Sequence, residues 1–257
     1  MTASAGHQKE RIREFWEDVP CGDIHSDAAP RSRAYFDEIE RQRYRAEPFI
    51  PRFARFDEAS GQRVLEIGVG LGTDFGRFVR AGADATGVDL TAQAVESVRE
   101  RLALDELSAT VLQADAEKLP FEDGSFDSVY SWGVLHHTPD TARAASEALR
   151  VLRPGGTLCV MLYGRRSWVS VGLWVKHALL AGRPARTLAD VLAHHMESEG
   201  TKGFTIGELR SMFDGLAERR ITSIVTSYDK LYAGPLTRLT GNRFGWFLVI
   251  EGKRPTE

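Results

Sequence analysis

Short apolar runs alternate with longer amphipathic stretches between residue 63 and about residue 163. The runs predict strands at 64–67, 83–90, 110–116 and 126–132, and a fifth strand that begins after residue 156. Regular alternation of strand and helix is typical of a doubly wound α/β fold with a mostly parallel sheet. After it the pattern predicts a helix at 205–213 and two late strands at about 218–227 and 244–251.

Two segments outside this alternation are expected to cover the sheet. Residues 1–60 predict a helical cap with helices at roughly 8–18, 32–45 and 48–58, and a loop between the first two helices that Pro20 and Gly22 interrupt. Residues 164–203 read as an insertion after the fifth strand, within a main domain of residues 61–257. Its most apolar part, 168–182, is too short to span a bilayer and contains Lys176 and His177. We expect a helical lid here, and contact with an apolar substrate or a membrane surface is the alternative.

The first candidate ligand-binding residues lie where the first predicted strand ends in glycines. Gly68, Gly70 and Gly72 follow the apolar run, and Glu66 lies two positions before the first of them. Glycines at this point let the backbone turn tightly and approach a ligand closely. Thr73 stands where the dinucleotide fingerprint has its third glycine. A carboxylate beside the loop disfavours a phosphate and favours a ligand that carries a positive amine.

Acidic residues also end the second and third predicted strands. Asp89 lies about 20 positions after the glycine loop, where a carboxylate accepts hydrogen bonds from ribose hydroxyls. Leu90 next to it offers an apolar face to an adenine, and Asp115 closes the third strand. Two further stretches are distinctive, Leu-Pro-Phe-Glu-Asp-Gly-Ser-Phe-Asp at 119–127 and Leu-Arg-Val-Leu-Arg-Pro-Gly-Gly at 149–156.

Together, these motifs resemble the Rossmann-like class I S-adenosylmethionine (SAM) methyltransferases of the type 11, UbiE-like kind that act on small molecules. The resemblance covers about residues 61–163. It implies a seven-stranded sheet with an antiparallel last strand, SAM as cofactor and S-adenosylhomocysteine as product. It also implies that Glu66 and the glycine loop hold the amino-acid end of SAM and that Asp115 accepts from the adenine amino group. The backbone of Ala116 is expected to contact the ring, and Trp132 to join the cofactor site.

The candidate catalytic residues are His136 and His137, which follow the fourth strand. Methyl transfer needs alignment of donor and acceptor, and it needs a base when the acceptor is a neutral hydroxyl. A histidine suits that role, although either imidazole could instead bond to backbone or simply line the pocket. His194 and His195 in the insertion are a second, weaker pair. No convincing metal-ligand set is visible.

Charge and composition limit the kinds of partner that the chain is expected to bind. The chain has 257 residues and a formal net charge of −3, so it lacks a global basic field that would attract nucleic acid. Its two cysteines have no metal-ligand spacing and form no disulfide framework. We expect Cys159 in the core and Cys21 in a structural loop rather than as a nucleophile. The polar, charged start shows no signal peptide, which makes the cytoplasm the expected location.

A basic and aromatic run in the cap offers further candidates. One of its arginines could clamp the SAM carboxylate or an acidic substrate, and Tyr35 or Tyr44 could line the methyl-transfer site. An exposed helix face balanced by nearby acidic residues is the alternative. The run consists of Arg31, Arg33, Tyr35, Phe36, Arg41, Arg43, Tyr44 and Arg45.

The function indicated is SAM-dependent methylation of a small molecule, with an oxygen acceptor ahead of nitrogen and carbon, in bacterial secondary or lipid and quinone metabolism. Two alternatives stay open. One is a peptide or protein methyltransferase, and the other is a SAM-binding protein that no longer methylates, such as a cyclase. We expect a monomer or homodimer without stable membrane insertion.

Overall fold

The computed structural model describes residues 3–19 and 26–256, so the predicted loop with Pro20, Cys21 and Gly22 lies outside the described residues. Its centre is one seven-stranded sheet in the order β3-β2-β1-β4-β5-β7-β6. The strands are β1 Arg63–Ile67, β2 Asp84–Asp89, β3 Thr110–Gln113, β4 Phe126–Trp132, β5 Leu152–Tyr163, β6 Ala217–Ile224 and β7 Phe247–Lys253.

Strand direction follows the expected pattern. The pairs that join β1 through β5 are parallel, whereas β7 pairs antiparallel with both β5 and β6. The prediction of a mostly parallel sheet with an antiparallel last strand is therefore confirmed. The strand order reverses between β1 and β4, and a crevice at such a switch point is where open α/β sheets bind ligands.

Helices pack on the sheet and continue into the cap and the insertion. The α-helices of the described residues are α1 Ala3–Asp18, α2 Arg33–Ala46, α3 Ile50–Ala54, α4 Thr73–Arg80, α5 Ala92–Leu104, α6 Thr141–Val151, α7 Trp168–Trp174, α8 Leu188–His195, α9 Ile206–Met212, α10 Ser227–Ala233 and α11 Thr237–Thr240. No helix among these residues is long and apolar enough to cross a membrane.

The central strands are apolar on both faces because helices cover both sides of the sheet. In β1, Val64 packs into the cluster on one side and Leu65 into the cluster on the other, and both are fully buried. Cys159 lies in β5 and is 9% exposed, as predicted for a core residue. Burial raises the pKa of its thiol well above the ordinary value.

Several predicted boundaries differ from the structure. The helix predicted at 48–58 is interrupted at Arg55, whose φ of 53° is left-handed, so α3 ends and a 3-10 turn at Phe56–Glu58 follows. The helix predicted at 168–182 ends at Trp174 and continues as one π-helical turn, Val175–Leu179. The third strand ends at Gln113, before Asp115.

The sequence interpretation missed the helices α10 and α11 between the last two strands. A readable signal was present at the start of α10. The hydroxyl of Thr226 accepts from the backbone N–H of Asp229, and the carboxylate of Asp229 accepts from the backbone N–H of Thr226, which together form a capping box.

Candidate active site

A cavity of about 300 Å³ lies at the carboxyl ends of β1, β2 and β4. Residues from the cap helices α1 and α2 close it from above, and Tyr228 of α10 also lines it. The predicted site residues that line the cavity are Glu66, Gly68, Gly70, Asp89, Leu90, Asp115, Ala116, Trp132 and His137. Gly72 and His136 do not belong to its lining.

The glycine loop needs glycine for two different reasons. Gly68, Gly70 and Gly72 have φ values of 82°, 50° and 73°, a region that other residues rarely adopt. A Cβ on Gly68 would come within 2.2 Å of the Val134 side chain beside the cavity. Gly72 instead precedes α4, and its Cβ would meet Val98 of α5 at 2.9 Å. Gly72 is therefore a packing residue next to the site.

Glu66 presents a buried carboxylate to the cavity. It is 4% exposed, and its Oε2 has no hydrogen-bond partner among the residues that the structure describes. Burial raises its pKa well above the ordinary value, and the nearby Asp74 adds to this effect. A buried acceptor without a partner is costly. A cationic donor in the cavity would remove that cost.

Asp89 holds the glycine loop to the end of β2. Its Oδ2 accepts from the backbone N–H of Gly70 at 3.1 Å, and its Oδ1 accepts from the N–H and hydroxyl of Thr91 at 3.0 and 2.8 Å. Burial raises its pKa despite these bonds. Asp89 thus orders the loop in addition to facing the cavity, which the sequence alone did not indicate.

Asp115 already has a partner that the sequence interpretation missed, Lys9 of α1. The ammonium of Lys9 lies 2.6 Å from Asp115 Oδ2 and 2.5 Å from Glu117 Oε2, so it bridges the two carboxylates. Burial opposes the charge of Lys9, but the two carboxylates outweigh it and raise its pKa. The bridge fastens the cap helix over the predicted adenine position.

A second missed network also borders the cavity, around Asp74 of α4. Arg43 of α2 donates to both carboxylate oxygens of Asp74, at 3.2 and 2.7 Å, and the hydroxyls of Tyr44 and Tyr130 each donate at 2.8 Å. Burial raises the pKa of Asp74, but Arg43 and these hydrogen bonds outweigh it and keep the pKa low. Trp132 donates from Nε1 to Glu47 at 2.8 Å.

The basic run of the cap separates into two groups. Arg43 lines the cavity, so it is the arginine placed to meet a carboxylate there. Arg31 and Arg33 instead form surface ion pairs with Glu100 of α5 and with Asp105 at the end of that helix. Tyr35 is buried beside Phe36, Ile39 and Leu71, and neither Tyr35 nor Tyr44 belongs to the cavity lining.

The two histidines after β4 have different surroundings. His137 lines the cavity, packs edge-on against Trp16 of α1 at 5.0 Å, and has Nδ1 2.9 Å from Ser198 Oγ and 3.0 Å from Thr201 Oγ1. His136 is fully buried against the Tyr163 ring, and neither of its ring nitrogens has a partner within 3–19 and 26–256. Burial lowers the pKa of both imidazoles, that of His137 to about 3.

The second histidine pair lies away from the cavity lining. His194 Nδ1 is 3.2 Å from Asp190, and the His195 ring stacks on His177 at 4.0 Å. In the part of the chain that the structure describes, no group of three or more His, Cys, Asp and Glu side chains is arranged to hold a metal ion.

Comparison with known proteins identifies the family. The family model described as a methyltransferase domain matches residues 65–160, which contain the glycine loop and the strand-end acids. Residues 65–160 therefore form a methyltransferase domain of the class I SAM-dependent family. The predicted family, its Rossmann-like fold and its cofactor SAM are thereby confirmed.

Three similar proteins show the range of this family fold. A phthiotriol/phenolphthiotriol dimycocerosates methyltransferase of Mycobacterium ulcerans is 32% identical over 189 residues, 73% of this chain and 66% of that protein. A 27-O-demethylrifamycin SV methyltransferase of Amycolatopsis mediterranei is 38% identical over 104 residues, 39% of this chain and 38% of that protein. The solved [4+2]-cyclase SpnF has a TM-score of 0.59 at 17% identity, covering 99% of this chain and 96% of its own.

The first curated relatives are longer than the part matched here. The match spans 43% of an uncharacterized 37.1 kDa protein from a Streptomyces fradiae transposon and 61% of an uncharacterized Mycobacterium bovis protein. The likeness therefore extends over part of these relatives and leaves substrate choice to the site itself.

Proposed function

We propose that this protein transfers a methyl group from SAM to a small-molecule acceptor, and that the accepting atom is an oxygen. The observation that carries the proposal is that Glu66 and His137 line one cavity. The unpartnered carboxylate fits the amino end of SAM, and the imidazole lies where it can meet an acceptor. The name of the similar rifamycin methyltransferase, which specifies an oxygen position, supports an oxygen acceptor.

Different residues of the cavity would contact different parts of the cofactor. Glu66 would accept from its amino group, and Arg43 would pair with its carboxylate, since Asp74 engages only Nε and Nη2 of that guanidinium. Asp89 would receive the ribose hydroxyls beside Leu90. Asp115 would accept from the adenine amino group once Lys9 gives up its bond to that carboxylate. The Ala116 backbone would contact the adenine ring, and Trp132 would form part of the cavity wall.

Bound SAM supplies a methyl carbon that its sulfonium makes electrophilic, so the chain's own residues need to align the acceptor, exclude water and move one proton. The cap helix α1 covers the cavity through Lys9, Ile12 and Trp16. His137 is the group that we propose to take the proton from the acceptor.

The hydrogen bonds of His137 favour the tautomer that a base requires. The hydroxyl of Thr201 donates to the carbonyl of Ser198 at 2.7 Å, so the oxygen lone pairs of Thr201 face His137 Nδ1. A protonated Nδ1 can donate to Thr201 and to the Ser198 hydroxyl at 2.9 Å, while Ser198 in turn donates to Thr201 at 3.2 Å. An unprotonated Nδ1 could accept from Ser198 but would face the lone pairs of Thr201, so the protonated form satisfies this group better. Nε2 then carries the free lone pair, and it makes no hydrogen bond within the described residues.

The low pKa of His137 also restricts the acceptor. Burial, with a smaller contribution from Lys202, keeps the imidazole neutral at physiological pH, so it does not place a second positive charge beside a sulfonium. A base this weak helps most when the acceptor proton is acidic, because proton transfer is then less unfavourable. Phenols fit this base better than aliphatic alcohols, whereas a carboxylic acid is already ionised at neutral pH and has no proton for the base to take.

Incubation with SAM and an acceptor panel tests this function. We expect mass spectrometry to show one added methyl group on a phenol or carboxylic acid, together with release of S-adenosylhomocysteine. With a phenol acceptor, His137→Ala should lower kcat about 10²- to 10⁴-fold while SAM affinity stays within threefold, as expected for loss of a general base. His194→Ala, which changes an exposed histidine, is the matched control. Equal kcat in both variants would remove His137 from the mechanism.

A second candidate is a SAM-binding protein that does not methylate. The similarity to the [4+2]-cyclase SpnF over 99% of the chain favours it. The same panel separates the two candidates. Tight SAM binding by calorimetry, with neither methylated product nor S-adenosylhomocysteine from any acceptor, would favour the non-methylating function.

A further inference from the structure

The segment between the last two strands, residues 227–244, exposes an unusual number of apolar side chains. Five of the eight large hydrophobic residues that are exposed in the described parts of the chain fall within 228–239. Leu231 and Leu239 are 80% and 82% exposed, and Tyr228, Tyr232 and Leu236 accompany them. Single exposed leucines are ordinary, but a cluster marks a surface that meets another apolar phase.

The exposed charges of this segment are all positive. Lys230, Arg238 and Arg243 are exposed, and none of them has an ion-pair partner within residues 3–19 and 26–256. Asp229 is the sole acidic residue of 227–244 in the sequence, and it is fully buried, where it accepts from the backbone N–H of Trp168 and of Trp246. The segment therefore opposes the net charge of −3 of the whole chain.

The helix α7 packs against this segment, and the residues that follow α7 are likewise apolar and basic. A Cβ on Gly172 of α7 would come within 2.1 Å of the Tyr232 ring, and Trp168 Nε1 donates to Thr240 at 3.0 Å. The turn after α7 exposes Leu179 and Leu180 next to the exposed cations Lys176 and Arg183. The sequence from 167 to 189 contains no acidic residue.

We propose that residues 176–183 and 227–244 form a membrane-binding surface that recognises anionic lipid bilayers. Leucine and tyrosine side chains insert at the boundary between headgroups and acyl chains, and unpaired Lys and Arg attract anionic headgroups. A second copy of the chain fits poorly, because two such surfaces would bring like charges together. Because Tyr228 also lines the cavity, the bilayer would lie beside the opening of the candidate active site.

Vesicle co-sedimentation of the full chain tests this surface without any assay of methyl transfer. The probes are phosphatidylcholine vesicles with and without phosphatidylglycerol, at low and high salt. We expect binding to the anionic vesicles only, and weaker binding as salt screens the headgroups. Replacing Lys230 and Arg238 by Gln should weaken binding roughly fivefold for each cation removed. The change Leu231→Gln with Leu239→Gln should weaken it at least about tenfold.

The controls are Arg45→Gln and Val19→Gln, which change an exposed cation and an exposed apolar residue outside the surface. Both should bind vesicles as the unchanged chain does. Circular dichroism checks that every variant is folded. Absence of binding to anionic vesicles at low salt would overturn the proposal, and so would equal binding by surface and control variants. A dimer in light scattering that the Leu231 and Leu239 changes dissociate would reassign the surface to self-association.

Discussion

The buried carboxylate of Glu66 destabilises the folded protein. Its carboxylate is buried and close to Asp74, and both facts raise its pKa. A raised pKa means that the unfolded chain releases this proton at a lower pH than the folded chain does. Stability therefore falls as pH rises from the ordinary carboxyl pKa towards the pKa in the folded protein.

The change Glu66→Gln should move stability and cofactor affinity in opposite directions. Without SAM, we expect the variant to be more stable than the unchanged protein, with a difference that grows as pH rises through that window. SAM binding should weaken about tenfold, since a hydrogen bond to a charged group contributes about 1.5 kcal/mol. Thermal unfolding as a function of pH and calorimetry with SAM measure the two effects.

Glu58→Gln is the matched control, because the Glu58 side chain is 70% exposed and does not line the cavity. It should change neither quantity. Unaltered SAM affinity in Glu66→Gln would remove Glu66 from the cofactor site and leave its burial without a functional reason.

At the scale of elements, α1 acts as a cover, and Lys9 fastens it next to the predicted adenine position in addition to the ion pair of Arg11 with Glu199. Lys9 joins α1 to Asp115 and Glu117, and Trp16 of the same helix packs on His137. The Lys9→Met change keeps most of the length and apolar stem of the side chain but removes the ammonium. We expect SAM to associate and dissociate faster, at least threefold in each rate, because the adenine amino group no longer competes with Lys9 and the cover opens more easily.

Stopped-flow tryptophan fluorescence measures these rates. Arg13→Met on the same helix is the control, since Arg13 pairs with Glu10 inside α1 and its loss leaves the cover fastened. If both variants bound and released SAM at the rate of the unchanged protein, α1 would not gate the cavity.

The sequence predicts the individual elements better than the contacts between them. The glycine loop, Asp89 and the strands were predictable, because local spacing and apolar periodicity determine them. Lys9 and Asp115 are 106 positions apart, and Arg43 and Asp74 are 31 apart, so no local pattern joins them. The basic run of the cap illustrates the limit. Its arginines look alike in the sequence, yet Arg31 pairs on the surface and Arg43 lines the cavity.

At the scale of the whole molecule, the cap is tied to the sheet domain through Glu40 of α2. Its carboxylate lies 3.0 Å from Arg77 and 2.8 Å from Arg80 of α4, and 2.5 Å from Arg101 of α5. Arg101 is only 3% exposed, and its Nη1 also donates to the carbonyl of Leu71 in the glycine loop. Glu40 thereby joins the cap, two core helices and the cofactor loop.

Glu40→Gln should therefore destabilise the entire protein by roughly 3 kcal/mol, because it leaves Arg101 as a buried charge without its carboxylate. Urea unfolding, followed by both circular dichroism and tryptophan fluorescence, measures the loss. The two signals should stay coincident if the cap and the sheet unfold together. SAM affinity should fall as well, since Arg101 supports the loop at Leu71.

Glu96→Gln, which removes an exposed pairing with Arg31 at 3.7 Å, should change stability by less than about 0.5 kcal/mol. A loss in Glu40→Gln no larger than in this control would mean that Glu40 does not hold the cap on the core.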